Sequence, residues 1–142
     1  MLMNLKIITP KKVVFEDTID EITLPAFDGE ITILSKHIAL FSMLKEGIVT
    51  VLKGRDGTLF SIGGGYVETD GKEVNVLVSR AFGQDEIDEA EIKRAQKQAE
   101  ELLSKNITEQ ERKDAMQLLR RSTVDLQLLT RIKHRRTSNT SR

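Results

Sequence analysis

Apolar residues along the first part of the chain recur at every second position. Glu21-Ile22-Thr23-Leu24 and Glu30-Ile31-Thr32-Ile33 alternate polar with apolar, and Val74, Val76 and Val78 share one face of Val74-Asn75-Val76-Leu77-Val78. Successive side chains of a strand point to opposite faces, so this period predicts strands with one face packed inward. Ile48-Val49-Thr50-Val51-Leu52 is β-branched and suits a strand as well. Asp28-Gly29, Asp56-Gly57 and Asp70-Gly71 stand between apolar segments, and Asp-Gly is a strong hairpin cue. Gly63-Gly64-Gly65 separates residues 59–62 from 66–69 and reads as a bulge or a close backbone approach. Many short strands with frequent turns imply an antiparallel sandwich or barrel.

Near residue 84 the period changes. Ile92, Ala95, Ala99 and Leu102 step by three and four, which places them on one helical stripe. Asp88 can cap this helix, with Glu91 three residues on as capping-box partner. Residues 104–107 break the pattern. Thr108 with Glu111 repeats the box and opens a second helix, whose stripe is Ala115, Leu119, Ser122, Leu126 and Leu129. Small residues on both stripes let the two helices approach closely as an antiparallel hairpin. The expected organisation is therefore α+β. A β domain over residues 1–84 is followed by a two-helix unit over 85–142, whose polar residues 137–142 form a frayed basic tail.

Composition narrows the class. The chain has 142 residues, 39% hydrophobic and only 4% aromatic, with no Trp, so the core must be mainly Ile, Leu and Val. No apolar run approaches the roughly 20 residues of a membrane-spanning helix. The short apolar start, broken by Pro10, is a poor signal peptide. Cysteine is absent, which excludes disulfides and thiolate metal sites. The formal net charge of zero hides an asymmetry. Residues 1–84 hold 9 Lys/Arg and 11 Asp/Glu, and residues 85–142 hold 13 and 11. After Asp125 there is no acid, while Arg131, Lys133, Arg135, Arg136 and Arg142 remain. Such a cationic end favours an acidic partner.

Candidate chemistry is sparse. Two histidines, His37 and His134, are too few for a His-built metal site. Ser35 beside His37 is a turn or surface pairing, since triads are assembled in space rather than in sequence. The acidic run at residues 85–89 suits a helix N-terminus through the dipole. The triple glycine lacks the following Lys-Ser/Thr of a phosphate loop. We expect no catalytic residue, no metal and no enzyme activity of the chain's own.

Several segments, taken in order, resemble the epsilon subunit of F-type ATP synthases (delta in mitochondria). Residues 5–10, Leu-Lys-Ile-Ile-Thr-Pro, are similar to that family's opening strand. Asp28-Gly29-Glu30-Ile31-Thr32-Ile33-Leu34-Ser35-Lys36-His37-Ile38-Ala39-Leu40 is similar to its "GE-x-GILPGHAPL" stretch, and Ser61-Ile62-Gly63-Gly64-Gly65-Tyr66-Val67-Glu68 to its "SGGFLEV". Ile87-Asp88-Glu89-Ala90 then opens an alanine-rich helix, as in the family. Thr32, Ser35, Lys36 and Ala39 depart from the family's Gly, Pro, Gly and Pro, so the loop backbone is expected to differ from the common form.

The resemblance implies a ten-stranded β-sandwich followed by a helical hairpin. It also implies a rotor subunit of the central stalk, coupling ion flow through the c ring to ATP synthesis. Its partners would be the gamma subunit, the c ring and the alpha and beta subunits, with no nucleic acid and no membrane span of its own. Its place would be peripheral, at the cytoplasmic face of a bacterial plasma membrane. Glu30, Ser35, Lys36, His37, Ile38 and Leu40 would meet the c ring, and Gly64, Gly65, Tyr66 and Glu68 the gamma subunit. Arg120, Arg121, Arg131, Lys133, Arg135 and Arg136 would let the second helix dock on an acidic patch and inhibit ATP hydrolysis. The competing reading is a β-sandwich adaptor whose basic helix binds nucleic acid or another acidic partner. It fares poorly because the β half is slightly acidic and offers few aromatic platforms. Some relatives bind ATP on the hairpin through "I/L-D-x-x-R-A". Ile87 and Asp88 match it, but Glu91 and Ile92 stand where Arg and Ala belong. A carboxylate in place of a phosphate-facing guanidinium reverses the sign of the contact, so no cofactor is expected. Calorimetric titration of the chain with ATP should show no micromolar binding.

Overall fold

The structure, a computed structural model, describes residues 2–37 and 39–140, and side chains no further along α2 than His134. The chain divides into two units, residues 1–84 and 85–142. The first holds ten strands. They are β1 (Met3–Ile8), β2 (Val13–Ile19), β3 (Glu21–Ala26), β4 (Gly29–Leu34), β5 (Leu40–Leu44), β6 (Gly47–Lys53), β7 (Asp56–Ile62), β8 (Gly65–Thr69), β9 (Glu73–Val78) and β10 (Ala81–Gly83).

Their hydrogen-bonded order is β10-β7-β6-β3-β5-β8-β9-β1-β2, with β4 added to β3. Between β3 and β5 the path rests on one register pair, Ala26 with Leu44. There the ladder turns from one layer into the other. Every pairing is antiparallel except β1 with β9, where residues 4–8 run parallel to residues 73–77.

The alternating pattern lands as the period demands. Leu5, Ile7, Val67, Val74, Val76 and Val78 line the core from one layer, and Ile22, Leu24, Ile33, Val49, Val51 and Ile62 from the other. Each such aliphatic side chain, fully buried, is worth about 1.5–3 kcal/mol. Two aromatics join them: Phe15 of β2 meets Phe60 of β7 edge-on, ring centroids 5.2 Å apart.

The turns differ from expectation at two places: between β3 and β4 the two-residue turn is Phe27-Asp28, closed by the Ala26–Gly29 pair, so Gly29 already belongs to β4. Asp56 and Gly57 lie inside β7, and the two-residue turn is Gly54-Arg55, closed by the Lys53–Asp56 pair. Gly54 takes φ 61, the left-handed conformation that hairpin turns favour and glycine adopts without a steric penalty. Its N–H donates to Asp20 Oδ2 at 2.6 Å. At Asp70-Gly71 the expected turn forms, and Asp70 Oδ1 accepts from the Lys72 and Glu73 N–H groups at 2.9 and 2.8 Å. Those donors hold the Asp70 carboxyl below its ordinary 3.8.

The triple glycine marks a close approach. Gly63 N–H donates to the Arg80 carbonyl, and Ser79 N–H to the Gly64 carbonyl, each at 3.0 Å. A Cβ on Gly65 would overlap the Leu77 carbonyl and sit 2.7 Å from Val78 Cα.

In the second unit, α1 spans Glu89–Leu103 and α2 spans Glu109–Thr140. Asp88 caps α1, its Oδ1 accepting from the Ala90 and Glu91 N–H groups at 2.9 and 3.3 Å. Thr108 caps α2: its Oγ1 accepts from Glu111 N–H at 3.1 Å and donates to Glu111 Oε1 at 3.0 Å. Ile92 and Ala99 are buried on α1, and Ala115 and Ser122 on α2. Leu119, Leu126 and Leu129 are half-buried, while Val124, Leu128 and Ile132 are buried as well. The buried arc of α2 is thus wider than the expected stripe. The expected frayed tail differs too, since α2 stays helical through Thr140. Once a helix is nucleated, each further residue adds a backbone hydrogen bond.

Gly65→Ala should destabilise the β unit by about 2–4 kcal/mol, because the obstacle is backbone rather than a movable side chain. Denaturant titration followed by far-ultraviolet circular dichroism measures it.

Candidate interaction surfaces

The β5-β8-β9-β1-β2 layer turns one face inward and the other outward. Outward, register pairs join Met43 to Tyr66, Tyr66 to Leu77, Leu77 to Ile8, and Ile8 to Val13. An apolar row therefore crosses five strands on the outside of the sandwich. Met43 is 51% exposed and Val13 49%, while Tyr66, Leu77 and Ile8 are half-buried. Phe27, 65% exposed, extends the row at the β3–β4 turn, its N–H donating to the Met43 carbonyl at 3.3 Å. Phe41 is exposed and stacks on Tyr66, ring centroids 5.1 Å apart.

The neighbouring row, Phe41–Glu68–Asn75–Lys6–Glu16, is polar after its first member. Lys6 Nζ lies 3.8 Å from Glu16 Oε1 at its far end. An apolar strip beside a polar margin is the layout of a protein-docking face.

Against this geometry the expected contact residues sort unevenly. Tyr66 and Glu68 fall in the two rows. Gly64 and Gly65 instead serve the close approach to β9 and its exit. Phe27, Phe41, Met43, Leu77, Ile8 and Val13 were missed. Their signal was present in strands apolar on both faces, such as Ile7-Ile8, Val76-Leu77-Val78 and Met43-Leu44.

The set expected to meet the c ring is divided. Glu30 is at the start of β4 and Ser35-Lys36 form the turn after its end, so roughly 17 Å of extended chain separates them. Glu30 belongs to the end carrying Phe27. Lys36 and His37 belong to the opposite end, where Lys36 N–H donates to the Gly71 carbonyl at 3.1 Å. Leu40 opens β5 and is half-buried, and Ile38 lies outside the described residues.

Lys36 has φ 67, alone among the described non-glycine residues with positive φ. It stands where the resembling stretch has glycine, which takes this conformation freely. For a residue with a Cβ the cost is about 1–2 kcal/mol.

On α2, Arg120 and Arg131 are both exposed and eleven residues, about three turns, apart, so they share a side. Arg121 and Lys133 point elsewhere. Lys133 Nζ reaches back to Glu89 Oε1 at 3.1 Å. The side chains of Arg135 and Arg136 lie outside the described residues. Asp88, expected from the nucleotide motif, is occupied as the helix cap, and Ile87 beside it is half-buried.

Residues 2–84 match the family model described as the ATP synthase delta/epsilon chain, β-sandwich domain. The chain belongs to that family. It is 35% identical over 131 residues to the ATP synthase epsilon chain of Gloeothece citriformis, covering 89% of this chain and 94% of the relative. It is 31% identical over 128 residues to that of Herpetosiphon aurantiacus, covering 90% and 94%. Among solved structures, a chain of the Euglena gracilis mitochondrial ATP synthase superposes with TM-score 0.71 at 22% identity, over 84% of this chain and 76% of that one. A chain of the Tetrahymena thermophila enzyme gives 0.53 at 20%, over 92% and 95%. At these identities the superpositions speak for the fold alone. The family's two-part architecture, sandwich followed by helices, is the one found here.

Lys36→Gly should stabilise the β unit by up to about 1 kcal/mol, the relieved strain being partly offset by the freer unfolded chain. The denaturation midpoint measures it.

Proposed function

We propose that this chain is the non-catalytic central-stalk subunit of an F-type ATP synthase, and that the sandwich docks on the gamma subunit through its outer apolar row. The observation that carries this is the row itself. Met43, Tyr66, Leu77, Ile8 and Val13 form an apolar strip that the core does not use, on a chain of the delta/epsilon family. A rotor subunit must hold its partner through every turn, which calls for a broad buried contact rather than scattered charges. Phe41, Tyr66 and Met43 are the residue types that anchor such contacts.

The Glu30 and Phe27 end is the natural place for contact with the c ring, being continuous with this strip. Lys36 and His37 lie at the other end of β4, so a contact made end-on by the Glu30 and Phe27 end leaves them out. The chain would thus sit at the membrane periphery through its partners; among the described residues no helix is long and apolar enough to cross a membrane.

The helical unit supplies the regulatory part of the proposal. Arg120 and Arg131 present positive charge along one side of α2, suited to an acidic surface on the catalytic head. Such pairs steer orientation more than they add affinity. ATP has no evident role in this arm, since Glu91 repels phosphate and Asp88 is engaged as a cap.

Met43→Glu leaves the core untouched and places a charge in the strip. Association with purified gamma subunit should weaken at least about tenfold. Unchanged affinity would remove the strip from the interface. In the assembled complex, deleting residues 86–142 should raise ATP hydrolysis; unaltered hydrolysis would reject inhibition by the arm and leave the coupling role standing.

A further inference from the structure

The hairpin of α1 and α2 is tied at one end by the chain itself, through residues 104–108. At its other end no covalent link holds the helices together, and side chains alone set the register. Glu89, the first residue of α1, occupies that end. Its Oε1 lies 3.0 Å from Lys93 Nζ, one turn along the same helix, and accepts from Lys133 Nζ of α2 at 3.1 Å. Lys133 is 44 residues away in sequence, so this contact exists only while the open end is shut.

We propose that Glu89 is the latch of the hairpin: its carboxylate, steadied by Lys93, holds Lys133 and with it the basic end of α2, and separation of the helices begins by breaking this contact. Three features favour a latch here. Lys93, at i+4, limits the rotamers of Glu89 before Lys133 arrives, which lowers the entropic cost of the second bond. The packing between the helices is uneven: Ala95, Ala99, Ala115 and Ser122 supply little apolar area, and the large buried aliphatics on the stretches next to Glu89 and Lys133 are few, Ile92, Leu128 and Ile132. The polar contact borders this small aliphatic patch, so separation from the open end must break it before those side chains are exposed. Both ammonium groups also hold the Glu89 carboxyl below its ordinary 4.5, which marks a charge engaged by its neighbours.

The consequence is a competition. An acidic surface that takes Lys133 must displace Glu89, so the latch sets the threshold at which α2 is released. The inference needs only the hairpin's own contacts, and it stands or falls apart from the docking reading.

The test is amide hydrogen exchange on the full chain, followed residue by residue by NMR. The isosteric variants Glu89→Gln, Lys133→Gln and the two combined would be compared with the unaltered chain. Surface pairs are individually weak, so the expected effect is about two- to threefold faster exchange at residues 126–134 in each single variant. Residues 111–120 should keep their rates. The double variant should exchange no faster than either single one, and Lys93→Gln should give a smaller change in the same direction. High salt should bring the unaltered chain to the rate of Glu89→Gln. Unchanged rates, additive effects, or acceleration spread evenly along α2 would each overturn the latch.

Discussion

Two layers of strands must each cover the apolar face of the other, and the order of the β unit follows from that demand. The core is built almost wholly from branched aliphatics, with Phe15 against Phe60 as its one aromatic pair. Aliphatic side chains carry no polar handle that would fix their orientation. Register must therefore come from the backbone: the single Ala26–Leu44 pairing where the layers join, and the tight passage of Gly63 to Gly65 beside residues 77–80. A sheet so constrained has little freedom to slip, because a shift of one residue would turn every inward side chain outward.

That rigidity gives the outward face its meaning. Cross-strand partners on a fixed sheet become a fixed surface. Met43, Tyr66, Leu77, Ile8 and Val13 come from five strands spread over most of the β unit, yet they stand in one line. The helical unit is the opposite case. Its packing is one narrow seam that mixes Ala99, Ala115 and Ser122 with Ile92, Val124, Leu128 and Ile132, and its caps are local devices, so it has no second layer to fix it as the sheet has.

What the sequence showed, and what it hid, divides along the same boundary. Period two in Val74, Val76 and Val78 and the helix caps at Asp88 and Thr108 are local signals that appear as read, although Glu111 meets the Thr108 hydroxyl where a capping box would meet its backbone N–H. The β5–β8 and β9–β1 neighbours were invisible, because register is decided by contacts distant in sequence. Of the apolar row only Tyr66 was therefore legible, with Glu68 from the polar row beside it. Asp56-Gly57 misled for a related reason: the glycine two residues earlier could also turn left-handed, and the bond to Asp20 across the sheet favoured it. On α2, Val124, Leu128 and Ile132 broaden the buried arc beyond the stripe that regular spacing from Ala115 suggested. Glu30 and Lys36 read as one loop because they are six residues apart, whereas the strand between them carries them to opposite ends.

The parallel union of β1 with β9 has a consequence for how the molecule comes into being. β1 cannot find its second neighbour until residues 73–77, about 70 positions further on, have emerged from the ribosome. Until then β1 can pair only with β2, and its other edge stays open to any stray strand. Closing so long a loop is slow relative to hairpin formation. Both helices are encoded after that point. Translation thus presents every strand of the sandwich outside the ribosome before the whole arm has followed, and the body can take shape ahead of it.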